Sequence, residues 1–436
     1  MKKIIFFAIV FLGIFANSIA QENDSIPKNN YLRVYLNSTS DNSNFINNNE
    51  NYIKVKLWYI DYVRDPKEAQ VHIIINSQPT ASGGSQYSIR FLGKEKFENK
   101  NDTLTYIAKY ENSNRETRDE LTNVITMGLM PYLASNGQQK HMTFDYTDRS
   151  KLVEQSIDKW NNWVYTATLN AYLNGDKVSQ IFVGDGSLSA AKITDKWKSR
   201  FTIGGSFGSN NYETSTYNYS GSTNIFDVKA LQVKSLNEHW SLGLEAGYYS
   251  STYSNIKSQF SIAPGVEYNL FPYSQSINHL FTFKYRIQPL LNTYLHETVY
   301  YKNTEFLFNN ILDLTYTHIA SWGNISSTLT TQNYLNVSNA YRIDLINQMN
   351  FRVATGLFFN VTGNVSYINN QLSLSSQSYT NEEIILKQRE ALTNYSYSLV
   401  VGIRYSFGSI FNNIVNPRYE GGLNITNEIS KAETAD

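Results

Sequence analysis

The sequence predicts a mainly β protein: a twelve-stranded antiparallel transmembrane β-barrel preceded by a small α/β periplasmic domain. Three observations predict it. The chain opens with an export leader. From Asn162 to Phe407 apolar and polar residues alternate with a period of two, and tryptophan gathers at one end of the alternating segments. Composition agrees: 33 Tyr, 23 Phe and 6 Trp make the chain aromatic-rich, while 17% of its residues are charged against about 25% in ordinary proteins. With 37 basic and 37 acidic residues the bulk charge is zero, which gives no support to nucleic acid as a partner. No cysteine is present. Disulfide scaffolds, thiol chemistry and Cys-ligated metals are thereby excluded.

Residues 1–20 have the form of a signal peptide. Lys2 and Lys3 precede an apolar run from Ile4 to Phe15, and small residues stand at Ser18 and Ala20 before Gln21. The run is shorter than the roughly 20 residues a membrane-spanning helix needs. No later stretch is long and apolar enough for a helical span, so membrane association downstream must use strands or a surface.

Residues 21–150 mix two periods. Leu32, Val34 and Leu36 alternate with Arg33 and Tyr35 as in a half-buried strand. Tyr52 to Val63 is apolar and aromatic, stopped by the turn residues Arg64-Asp65-Pro66. Val71-His72-Ile73-Ile74-Ile75 is β-branched on both parities, as in a strand buried on both faces. Ser82-Gly83-Gly84-Ser85 then leads to Tyr87–Leu92, a hairpin. Leu121, Val124, Ile125, Gly128 and Leu129 form the stripe of an amphipathic helix. Glu116, Asp119 and Glu120 lie near its start, where the helix dipole favours them.

Residues 151–161 are read as a linker, 162–407 as the barrel and 408–436 as a periplasmic tail. Nine strongly alternating segments, from Trp163–Asn174 to Tyr395–Phe407, are joined by weaker ones at 178–192, 222–235 and 322–335. The same alternation fits a secreted sandwich or propeller. Length separates them: these segments run to about 10–15 residues, against about 5–6 in soluble sheets and 9–11 for a tilted membrane strand. Connections also alternate, short at 193–197, 236–239, 319–321 and 354–355, and mostly longer at 209–221, 288–304 and 369–393, with 175–177 and 336–339 as brief exceptions. Trp160, Trp163, Trp197, Trp240 and Trp322 all fall on the short-turn side. There they form a membrane-interface belt, since an indole ring is apolar and its N–H wants a partner.

The parity opposite the apolar one carries Arg200, Glu245, Glu267, Lys284, Arg286, Asp313, Arg342, Asp344, Arg352 and Arg404. Facing lipid at the midplane, an Arg or Lys costs about 2–4 kcal/mol. These residues are therefore expected to line the lumen, either as a polar pore or as paired charges that fill it. Thr380-Asn381-Glu382-Glu383 opens a short helix running to Ala391, read as a loop that shields the rim or as a plug.

Chemistry was sought among the six histidines at 72, 141, 239, 279, 296 and 318. None has a partner at metal-ligand spacing, and no catalytic constellation, cofactor site or metal site is expected. His72 reads as core and His279 as a boundary residue on the lipid-facing parity. An enzyme is not expected.

Two groups of residues carry a resemblance. One is the leader with Tyr62-Val63-Arg64-Asp65 through Ala69-Gln70-Val71-His72 and Asp158-Lys159-Trp160-Asn161-Asn162-Trp163-Val164. The other is Glu382-Glu383-Ile384-Ile385-Leu386 with the ending Phe407–Arg418. The chain resembles, over most of its mature length, a family of functionally uncharacterised Gram-negative outer-membrane barrel proteins with an amino-terminal periplasmic domain. The resemblance implies location and architecture and no site residues. Expected partners are outer-membrane lipid, the barrel-assembly machinery during biogenesis, and an envelope component bound by residues 22–150. The expected function is porin-like passage of small polar solutes through a charged lumen. The alternative is a non-conducting barrel that anchors its periplasmic domain.

Overall fold

The computed structural model describes residues 31–38, 50, 52–63, 65–80, 83–141, 160–213, 218–276, 278–320, 322–354, 357–378 and 389–405. The leader, the body of the linker, Phe407, the tail and the core of the helix expected at 380–391 lie outside them.

The first unit is a five-stranded sheet. Its strands are β1 (Leu32–Ser38), β2 (Ile60–Tyr62), β3 (Val71–Pro79), β4 (Ser85–Gly93) and β5 (Asn101–Ala108), in the order β2-β1-β3-β4-β5. β2 and β3 run parallel to β1 on either side, and β4 and β5 follow as antiparallel hairpins. Residues 52–56 of the apolar stretch form a helical turn rather than strand, which supplies the crossover that parallel neighbours require. β5 escapes a pattern search because its exposed half is Asn101-Asp102-Thr103.

Helix α1 (Asn114–Ser135) starts on a capping box, Ser113 with Glu116, which satisfies two orphan donors of its first turn. Its buried stripe of Leu121, Ile125, Leu129, Tyr132 and Leu133 packs on one face of the sheet, against Val34, Ile73, Ile75, Ile89 and Phe91. Gly128 sits where helix and sheet approach most closely. A Cβ there would stand 2.1 Å from the Phe91 ring.

The opposite face of this sheet is also buried, but it is polar. Register aligns Tyr35, His72 and Leu92 in one row and Asn37, Ile74 and Arg90 in the next. His72 and Asn76 are 0% exposed and Ile74 is 1% exposed. The both-face burial read from Val71–Ile75 is thus present, with α1 on one side and a second unit on the other.

That second unit is a twelve-stranded antiparallel sheet in strict sequence order. Its strands are β6 (Trp163–Gly175), β7 (Ser179–Ile193), β8 (Trp197–Glu213), β9 (Asn218–Ser235), β10 (Trp240–Ser251) and β11 (Ile256–Asn269). They continue as β12 (His279–Tyr294), β13 (Thr304–Ala320), β14 (Gly323–Tyr334), β15 (Tyr341–Ala354), β16 (Leu357–Asn369) and β17 (Tyr395–Tyr405). Two expected long loops are partly strand: β8 and β9 extend to Glu213 and from Asn218, and β12 runs to Tyr294. In the β8–β9 extension Asn, Ser, Thr and Tyr stand on both parities, and in β12 Leu290 and Leu291 put apolar residues on both, so hairpin pairing continues where alternation fades. Only the β16–β17 connection is long in the sense expected.

The sheet is curled. The Asn255 side-chain amide, in the β10–β11 turn, donates to the Ser373 carbonyl at 2.9 Å. On a flat sheet that turn would lie five to six strands from β16, about 26 Å at about 4.8 Å per strand. Ser373 is four residues beyond Asn369, a reach of about 14 Å. Only curvature closes the difference.

Substituting Gly128→Ala tests the packing of the first unit. Alanine improves helix propensity by about 1 kcal/mol, but overpacking against Phe91 costs about 1–3 kcal/mol. Denaturant unfolding is expected to show a lowered midpoint; a raised one would contradict this packing.

Candidate functional site

Curling and register sort the side chains. Outward from β16 and β17 point Leu357, Phe359, Val361, Val365 and Tyr397, Leu399, Val401, Ile403; inward point Asn360, Thr362, Ser366 and Ser396, Ser398, Arg404. Among the residues expected in the lumen, the structure gathers one group tightly. Arg286 pairs with Glu245 and Asp313, each at 2.7 Å, and Lys284 reaches Asp313 at 3.2 Å. The Thr330 hydroxyl donates to Asp313 at 2.8 Å. This network links β10, β12, β13 and β14 across the inner face. Arg342 and Asp344 pair with each other at 2.8 Å, and Ser366 donates to Asp344. Glu267 accepts from the Tyr273 hydroxyl at 2.5 Å.

The remaining three expected residues stand outside these pairings. Arg200 and Arg404 have no ion pair among the described residues; Arg404 lies over the Phe358 ring at 4.8 Å. Arg352 stays in β15 but turns its side chain to the first unit, as described below. Sequence reading missed Asp185, Lys198, Asp227, Lys229 and Glu305, which register places on the same inner face. All five stand in or beside the weakly alternating segments or beyond the strand ends assigned from sequence.

The tryptophans share one end. Trp163, Trp197 and Trp240 begin β6, β8 and β10, and Trp322 precedes β14. Trp240 packs on Tyr268 at 4.8 Å, Trp322 on Phe351 at 5.8 Å, Trp163 on Phe201 at 6.1 Å and Trp160 on Tyr165 at 5.8 Å. Lys234 lies over the Trp197 ring. Between them stands a pair that sequence spacing concealed: His279 and His318 are register partners with their Nδ1 atoms 2.7 Å apart. They face outward among Phe271, Tyr316 and Trp322. Thirty-nine residues separate them in sequence, so only strand pairing could bring them together. Among the described residues no group of three or more His, Asp and Glu could hold a metal.

Both ends of the curled sheet are occupied. At the long-loop end Leu372, from the β16–β17 connection, is buried with Leu290, Leu307 and Ala340 against Tyr334 and Val337. Ser376 and Val299 exchange backbone bonds across the mouth with Glu297 and Leu374, and Glu390 donates to Tyr253. The described flanks of this loop therefore fold into the opening.

At the short-turn end the polar face of the first sheet meets three consecutive turns. Asn76 donates to Asn278 at 2.8 Å, before β12. Arg90 donates to the Ile319 carbonyl at 3.4 Å, before the β13–β14 turn. Arg352, before the β15–β16 turn, pairs with Asp65, both side chains nearly buried, and its guanidinium lies 5.7 Å from the Tyr35 ring. Asp65 also accepts from the Lys67 amide, so one carboxylate fixes both its own turn and the second unit.

His72 lies edge-on to Tyr35 at 4.9 Å, and neither ring nitrogen has a hydrogen-bond partner. Burial, then the cations Lys94, Arg352 and Arg90, push its pKa down to about 3. Burial likewise lowers Lys94, helped by Arg352 and opposed by Asp65. His72 belongs to a polar junction rather than to the apolar core expected from its strand.

No family model matches the chain and no curated protein matches it, so the family resemblance gains no support from them. The solved structure of the NanC porin in its rhombohedral crystal form is similar over 55% of this chain and 99% of its own, with 11% identity and a TM-score of 0.26. That score is too low to carry the fold, which rests on the strand order and register above. No helix among the described residues is long and apolar enough to cross a membrane, which says nothing of strands.

A neutral buried histidine makes stability depend on pH. Unfolded, His72 takes up a proton below its ordinary 6.5; folded, it resists until about 3. The unfolded state binds more protons in that window, so stability falls as pH drops through it, by about 2 kcal/mol at pH 5. Denaturant midpoints at pH 7 and pH 5 should differ less in His72→Asn than in the natural chain. Equal differences would contradict the burial of a neutral imidazole.

Proposed function

We propose that the twelve strands close, β6 to β17, into a barrel spanning the outer membrane of a Gram-negative bacterium, with the first unit in the periplasm, and that the barrel passes small polar solutes. The observation that carries this reading is the sorting of side chains by register. Charges that could not face lipid cheaply converge around Arg286 on the inner face, while the outer face is aliphatic with aromatics at its rim. Closure would pair the free edges of β6 and β17, long apolar strands that otherwise invite aggregation. Outer-membrane lipid then contacts the outer face, and the barrel-assembly machinery is the partner during biogenesis.

One observation favours the alternative reading of a barrel that anchors its periplasmic domain. Both ends carry folded segments, the Leu372 arm and the Arg90–Asn76 sheet face, as a filled barrel would. On the porin-like reading these segments are the gates.

Purified, heat-modifiable full-length protein in planar bilayers is expected to give steady unitary steps. Arg286→Ala leaves Glu245 without its ion pair and Asp313 with Lys284 alone, and is expected to shift the ion preference toward cations. Silence from protein that is demonstrably folded would contradict solute passage and leave the anchor.

A further inference from the structure

The junction between the first sheet and the barrel holds more positive charge and more hydrogen-bond donors than its own residues can satisfy. Arg352 has Asp65 as its counter-ion. Of the other two cations, Lys94 donates to the Pro66 carbonyl at 2.8 Å and shares the field of the same Asp65, and Arg90 has, among the described residues, only the Ile319 carbonyl. A carbonyl accepts a hydrogen bond but does not cancel a charge. The Nε atoms of Arg90 and Arg352 and both ring nitrogens of His72 are buried without hydrogen-bond partners among the described residues. Leaving a buried donor unpaired is costly, more so when it is charged. These groups are neighbours: Tyr35 touches His72 on one side and Arg352 on another, and His72 lies in the field of Arg90, Lys94 and Arg352 together. Arg404, exposed on the barrel's inner face, adds its charge to the same Tyr35, where Glu50 and Asp65 oppose the cations.

We propose that this junction is a binding site for a small oxyanion, a carboxylate or phosphate group, held by Arg90, Arg352 and the His72 N–H, with Arg404 on the barrel side. Water could satisfy the donors and would leave the charge. An oxyanion answers both, and guanidinium N–H groups match its geometry. The site stands on the junction alone. It rests on the porin-like reading only for the route by which the anion arrives, and on that reading it names the solute class as anionic.

The test uses the full-length chain folded in detergent micelles, in chloride-free buffer at constant ionic strength, titrated separately with inorganic phosphate and with acetate. The unfolding temperature is expected to rise with saturation for at least one of them. Phosphate alone identifies a phosphoryl ligand, acetate alone a carboxylate, and both a general oxyanion site. Arg90→Gln and Arg404→Gln are each expected to weaken half-saturation at least tenfold, while Lys109→Gln, on an exposed turn, leaves it unchanged. If Arg90→Gln loses heat-modifiable migration, Arg404→Gln decides, because its exposed side chain is not needed for folding. No saturation with either anion, or saturation that Arg404→Gln leaves intact, overturns the site. Binding is read without conductance, so silent bilayers with saturable binding would refute solute passage and keep the site. Conduction without binding would refute the site alone.

Discussion

Arg352 and Asp65 are separated by 287 residues and meet as a nearly buried ion pair. Such a pair is a constraint before it is a source of stability. Its Coulombic gain is largely offset by desolvation, whereas removing one partner costs about 3–5 kcal/mol because the other charge stays buried alone. Neither residue could sit where it does unless the polar face of the first sheet lay against the short-turn end of the second. The burial of His72, Ile74 and Asn76 follows from the same contact, as does the hydrogen bond from Asn76 to Asn278.

From that contact the rest of the molecule can be read as two layers on one axis. Helix α1 covers the apolar face of the first sheet, and the curled sheet covers its polar face. The inner charges then divide by height. Around Arg286 they are paired among themselves in mid-wall. Toward the short-turn end Arg200 and Arg404 stand without ion pairs among the described residues, and Arg352 spends its charge on the first unit. At the far end the Leu372 arm is held by apolar packing rather than by charge. The two occupied ends thus differ in kind: one is held by charged side chains, the other by apolar packing and neutral hydrogen bonds.

Much of this was legible in the sequence, because a period of two is hard to mistake over strands this long. Segments such as Trp240–Tyr248 and Leu357–Tyr367 state their parity in nearly every residue, and the structure keeps it. Strand ends were less legible. Beyond Gly208 the residues are polar on both faces, and beyond Gln288 Leu290 and Leu291 are apolar on both, so nothing in the pattern marks where pairing stops. β5 was silent for the same reason. The residues that share the inner face followed from parity where parity was strong, as at Arg286 and Asp313, and were missed where it was weak, as at Asp227 and Lys229. The His279–His318 pair and the Arg352–Asp65 pair could not have been read at all. Each depends on distance in space between residues far apart in the chain, and nothing local announces it. Val71–Ile75 did announce a strand buried on both faces, but not what buries the second one.

The contact between the two units is open to a direct chemical measurement, since the chain has no cysteine of its own. Cysteines placed at Asn76 and Asn278 would carry the side chains that now meet at 2.8 Å. A short bis-maleimide applied to intact envelopes should join them in high yield, giving an intramolecular product with altered gel mobility, while a cysteine at Lys109 paired with Asn278 should not be joined. If the 76–278 pair stays unlinked although both thiols react singly, the first sheet does not rest on the short-turn end, and the account built on that contact fails.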